Sequence, residues 1–146
     1  MLDTHAALWA QLDAKRLARA ARAALRDLPP AALAVSDVTL TEVARLLKDG
    51  KIVPAAAAPG AWLEAFGLCF NLMPVTARIA WTAAAFDWTH RDPCDRHILA
   101  TALINGLPLI TIDPLISAFA PSVGVKIRGG GARGLGRISE QAEMGH

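Results

Sequence analysis

Short apolar runs alternate along this chain with longer segments of helical periodicity, a rhythm that predicts strands carried between helices. Met1 and Leu2 form the stub of a first strand, and residues 6–12 read as the helix that leaves it. Leu17, Ala20, Ala21, Ala24, Leu25 and Leu28 keep a 3.6-residue period until Pro29 and Pro30 stop it. Residues 33–36 have the length and character of a short buried strand. A helix follows over about 40–49, with Gly50 as its stop. Residues 59–66 predict another helix around Trp62, residues 69–73 a weak strand, and Thr76 the cap of a helix reaching Phe86. Pro93 suits the first position of a helix to Asn105, closed by Gly106. Residues 107–112 carry the strongest strand pattern and residues 123–127 the last one. Strands that alternate with helices imply an α/β fold with a largely parallel sheet.

Composition narrows this picture. The 146 residues suit one domain with a proper core, and no disulfide framework is needed to hold it. Hydrophobic residues make up 53% and mean hydropathy is +0.34, but much of that is alanine. No apolar run reaches the roughly 18–20 residues of a spanning helix. The first residues lack the basic start and apolar stretch of a signal peptide, so the expectation is a cytoplasmic protein. Cys69 and Cys94 match no paired zinc-ligand spacing. A net charge of +2 does not by itself demand a polyanionic partner. The glycine-rich stretch after Ile127 reads as a flexible tail over 128–146, with the folded body at 1–127. Arg128, Arg133 and Arg137 in that tail are an alternative set of RNA contacts.

Four acids stand where apolar runs give way to turns or helix starts: Asp3, Glu42, Asp95 and Asp113. Each has a plain structural explanation. Asp3 and Asp113 follow strands, where aspartate caps the next helix. Thr39-x-x-Glu42 fits a capping box, with the glutamate reaching back to the Thr39 amide. Asp92 is the natural cap before Pro93, and Asp95 favours the helix dipole. Asp95, however, shares a stripe with Ile98, Leu99 and Ala102, where an unpaired carboxylate is costly. Strand ends in a parallel sheet open into one crevice. Oxygen ligands converging there would suit Mg²⁺ or Mn²⁺ rather than zinc. Thr4, Ser36 and Thr111 lie beside three of the acids and could orient them, or serve as ordinary turn and cap hydroxyls.

These segments resemble a known family. Leu2-Asp3-Thr4-His5 at the start, Ser36 followed by Thr41-Glu42, the run from His90 to Ala102 and the segment ending Thr111-Ile112-Asp113 are together similar to PIN domains. More narrowly they resemble VapC-type ribonuclease toxins of type II toxin–antitoxin systems. The likeness spans about residues 2–127. It implies a three-layer α/β/α sandwich around a twisted, mainly parallel sheet. Asp3, Glu42, Asp95 and Asp113 match the family's acidic quartet, which implies catalytic and metal-ligand roles for them. The implied activity is Mg²⁺- or Mn²⁺-dependent endoribonuclease cleavage that leaves a 5′-phosphate. A cognate antitoxin and a homodimer are implied as partners. One departure is that Asp3 comes after only two residues, a shorter first strand than the family generally carries.

Arg91 and Arg96 flank the acids and are candidate RNA-phosphate contacts, although Arg96 could equally pair with a neighbouring acid. Of the four tryptophans, Trp88 alone falls in a loop, where it could stack on a base; the others suit packing. Two other readings stay open. One is a non-catalytic PIN-like binding module. The other is a phosphatase of the haloacid dehalogenase type with Asp3 as nucleophile, for which His5 stands where a second acid is needed.

Overall fold

The computed structural model describes residues 1–129. Within them seven α-helices and four short strands alternate, one helix more than the sequence pattern predicts, the addition being Pro114–Phe119. They are α1 (Thr4–Leu12), α2 (Arg19–Leu25), β1 (Ala34–Ser36), α3 (Val38–Lys48), α4 (Pro59–Gly67), β2 (Asn71–Met73), α5 (Ala77–Ala85), α6 (Pro93–Ile104), β3 (Leu109–Ile110), α7 (Pro114–Phe119) and β4 (Ile127–Arg128). β1 pairs with β2 and β3 with β4, both in parallel. Leu2 joins the two pairs through parallel bridges to Val35 and Ile110. The spatial order is therefore β2, β1, the Leu2 stub, β3 and β4, with helices packed around it as an α/β/α sandwich.

The stub makes up in hydrogen bonds what it lacks in length. The Leu2 amide donates to Ala34 O at 2.9 Å, the Asp3 amide to Ile110 O at 3.1 Å, and the Ile110 amide to Met1 O at 2.8 Å. Leu2 and Val35 are fully buried, as the central positions of a covered parallel sheet require. One apolar core gathers α1, α3 and α4 around Leu8, Val43, Trp62 and Phe66, and a second packs α6 and α7 through Ile98, Leu99 and Ile116.

Several boundaries differ from the sequence expectation. The helix expected from Leu17 to Leu28 is only Arg19–Leu25, because Leu17 is extended (ψ 146°) after a 3-10 turn over Ala14–Arg16. The strand expected over 107–112 pairs only at Leu109–Ile110, since its neighbours are themselves one or two residues long. Residues 123–127 do not form one strand. Val123 ends a 3-10 turn, and Gly124 reverses the chain at φ 89°, which leaves pairing to Ile127 and Arg128. Arg128, assigned from the sequence to the tail, is thus part of the sheet. The rest of that tail, with Arg133 and Arg137, lies outside the described residues.

Candidate active site

Asp3 follows the stub and caps α1, so one residue ends the central strand and begins the first helix. Its carboxylate is 2% exposed. Oδ1 accepts the Ala6 amide at 2.8 Å, and Oδ2 accepts the Thr111 hydroxyl. Thr111 accepts the Asp113 amide at 3.0 Å in turn. Burial pushes the Asp3 carboxyl up to about 6; the two hydrogen bonds and the field of His5 oppose this, while Asp95 adds to it.

Glu42 is not part of a capping box. Helix α3 already begins at Val38, which puts Thr39 inside the helix with its amide past the cap. The Glu42 carboxylate turns instead to α1 and accepts the Thr4 hydroxyl at 2.6 Å. Because that spends the Thr4 proton, Thr39 donates to Thr4 across 3.3 Å. Three buried or half-buried oxygens thus join α1 to α3. Ser36 accepts the Val38 amide at 3.3 Å and shapes the turn between β1 and α3.

Asp92 caps α6 as expected, accepting the Cys94 and Asp95 amides. Asp95 is half-buried, and its Oδ2 accepts His90 Nε2–H at 2.6 Å. Burial raises its carboxyl above the usual range despite that bond, and the charges of Asp92, Asp113 and Glu42 raise it further. Asp113 caps α7 through the Leu115 and Ile116 amides at 2.7 and 3.4 Å.

The four predicted acids therefore meet electrically at the carboxyl edge of the sheet. Asp3 feels Asp95, and Asp95 feels Glu42 and Asp113. Their side chains are nevertheless turned to separate partners, and among the described residues no three His, Cys, Asp or Glu side chains close around a common point. The donor chemistry fits a hard divalent cation. The donors are carboxylates, they raise one another's affinity for positive charge, and each oxygen keeps a lone pair beyond its hydrogen bond.

The flanking cations and aromatics divide differently from the sequence expectation. Arg91 is exposed in the loop just before the cap of α6. Arg96 is neither free for phosphate nor paired with an acid, because its guanidinium is spent on backbone carbonyls. Trp88 stacks on Phe119 with centroids 4.6 Å apart and packs against His90, so one face is already used. Trp9 and Trp62 are core residues, whereas Trp81 on α5 is 74% exposed. One residue was missed and another left without a role. His90, near the acids in sequence, is the partner of Asp95, a contact that crosses a loop and leaves no periodic signal. Arg45 is exposed on α3 and lowers the Cys94 pKa that Glu42 raises; its position three after Glu42 on a helix was the available clue.

A PIN domain profile matches residues 1–120. The chain is 32% identical to Ribonuclease VapC22 of Mycobacterium tuberculosis over 114 residues, which is 77% of this chain and 85% of that protein. Among solved structures it is similar to a toxin-antitoxin complex from Klebsiella pneumoniae. There the TM-score is 0.57 at 28% identity, over 85% of this chain and 92% of that one.

Proposed function

Since the chain belongs to the PIN domain family and is of the VapC type, we propose that it is a ribonuclease toxin whose acidic edge hydrolyses RNA with the help of Mg²⁺ or Mn²⁺. The observation that carries this reading is the pair Asp3 and Asp95. Both carboxyls are raised by burial, and each lies in the field of other acids that a bound cation would offset. When bound, the ion supplies charge neutralisation at the phosphate and a lowered pKa for the attacking water. Asp3 and Asp95 would hold it. Glu42, oriented by Thr4, and Asp113, fixed at the start of α7, would complete its surroundings or position water.

Arg45 and Arg91 draw the phosphodiester towards the acids from the exposed rim, a role in which Arg91 remains and Arg96 does not. The cleaved bond leaves a 5′-phosphate. The partner that silences the site is an antitoxin, in keeping with the complex seen for the Klebsiella relative. A homodimer and a cytoplasmic location belong to the same reading, and no helix among the described residues is long and apolar enough to cross a membrane.

The test is cleavage of total RNA by the purified chain with Mg²⁺ or Mn²⁺, against the same reaction in chelator. Asp3→Asn and Asp95→Asn should each lower the rate on the order of 100-fold or more, as loss of a metal-site group does. Cleavage that survives both substitutions would sink the reading, and products resistant to a 5′-phosphate-dependent exonuclease would overturn the assigned product.

A further inference from the structure

Arg96 spends all five of its N–H donors on backbone carbonyls of one short segment. Nε reaches Ala83 O at 2.8 Å, Nη1 reaches Trp88 O and His90 O at 2.9 Å each, and Nη2 reaches Ala84 O at 3.4 Å and Phe86 O at 2.6 Å. Two of these carbonyls belong to the last turn of α5 and a third to its cap, groups that the helix itself leaves without donors. The others lie in the loop that leads to α6. Five carbonyl dipoles aimed at one point repel one another unless a flat, permanently charged fork sits between them. A lysine ammonium, with three donors, does not replace it.

The gripped loop returns to the acid next to Arg96 in sequence. His90, held by its carbonyl, donates from Nε2 to Asp95 Oδ2 at 2.6 Å. Trp88, held the same way, packs on the His90 ring at 4.9 Å and stacks on Phe119 at the end of α7. Asp95 Oδ1 accepts no hydrogen bond from any other described residue.

We propose that Arg96 is a positioning residue that acts on Asp95 through the loop it grips, setting His90 against Oδ2 so that Oδ1 is left free for a cation. Arg96 touches no acid side chain itself. This proposal rests on the reading of Asp95 as a ligand. The link from guanidinium to imidazole to carboxylate is nonetheless a property of the protein that can be read without RNA.

The experiment records imidazole nitrogen NMR shifts and Mn²⁺ affinity for the full chain, for Arg96→Lys, for His90→Ala and for the double variant. In Arg96→Lys the His90 resonances should move to those of a free imidazole, while His97, bonded within α6 to Pro93 O, keeps its own. Mn²⁺ affinity should fall about tenfold or more in each single variant, the usual cost of losing a group that orients a ligand. The double variant should lose no more than the worse single one. An unchanged His90 spectrum in folded Arg96→Lys overturns the proposal, and so does unchanged Mn²⁺ affinity in His90→Ala. If Arg96→Lys does not fold, two glycines inserted after Thr89 loosen the same loop and must give the same His90 spectrum. A parent chain that binds no Mn²⁺ would defeat the metal-dependent ribonuclease reading, and the His90 spectrum would then decide the Arg96 link alone.

Discussion

Asp3 is buried, hydrogen-bonded twice, and still titrates near 6, so its hydrogen bonds offset only part of the cost of desolvation. A carboxyl raised from 3.8 to about 6 in the folded state binds its proton more tightly there than in the unfolded chain. It therefore contributes stability that is complete below pH 3.8 and is lost as pH rises through about 6. The amount is on the order of 2–3 kcal/mol. In chelator, Asp3→Asn should raise the melting temperature at pH 7.5 and bring no gain at pH 3.5. Mn²⁺ should raise it for the parent chain and not for the variant. A loss of stability at pH 7.5 in Asp3→Asn would show that the carboxylate is already compensated. The sequence exposed Asp3 and Asp95 because each sits at a patterned boundary. It put His90 near the acids but did not pair it with Asp95, because a side chain that reaches across a loop obeys no period. At Glu42 the capping pattern left the role open; the helix begins earlier than that pattern implies, at Val38, and the carboxylate turns to the Thr4 hydroxyl on another helix.

At the level of elements, helices were the easier half. A helix keeps its own hydrogen bonds and declares itself by period and caps, which is why Thr76, Asp92, Pro93 and Asp113 stand where their residue types suggest. A strand exists only as far as its neighbour does, so β3 and β4 shrink to two residues each despite longer apolar runs. Just after β4 lies a contact that no pattern announces. Gly129, at φ 71°, lies so close to α2 that an added Cβ would stand 2.5 Å from the Ala21 Cβ and 3.0 Å from its Cα. Gly129→Ala therefore carries a backbone cost and a collision. Gly106→Ala, at φ 64° in open space, carries only the backbone cost of about 1 kcal/mol. Urea unfolding of the two should show Gly129→Ala less stable by a further 1–3 kcal/mol or so. Equal losses would mean that α2 yields without cost.

On the scale of the whole molecule, charge balance said little, since a net +2 conceals acids collected at one sheet edge and arginines on its rim. The order of elements said more, because a parallel sheet must bring its strand ends together. The two-residue stub at its centre also sets a schedule. Met1 and Asp3 bond to Ile110, and Asp3 meets Thr111 across 108 residues of chain. Residues 1–3 leave a ribosome long before Ile110 and Thr111 do, so a half-made chain can join α1 to α3 through Thr4 and Glu42 but lacks the Thr111 hydroxyl, Asp95 and Asp113. Chains stalled with Thr111 still inside the exit tunnel should neither cut RNA nor resist protease, whereas chains released a few residues beyond β4 should do both. Activity in the shorter stalled chain would contradict this. A cell making such an enzyme is then protected from it during translation by the topology alone, before any inhibitor is needed.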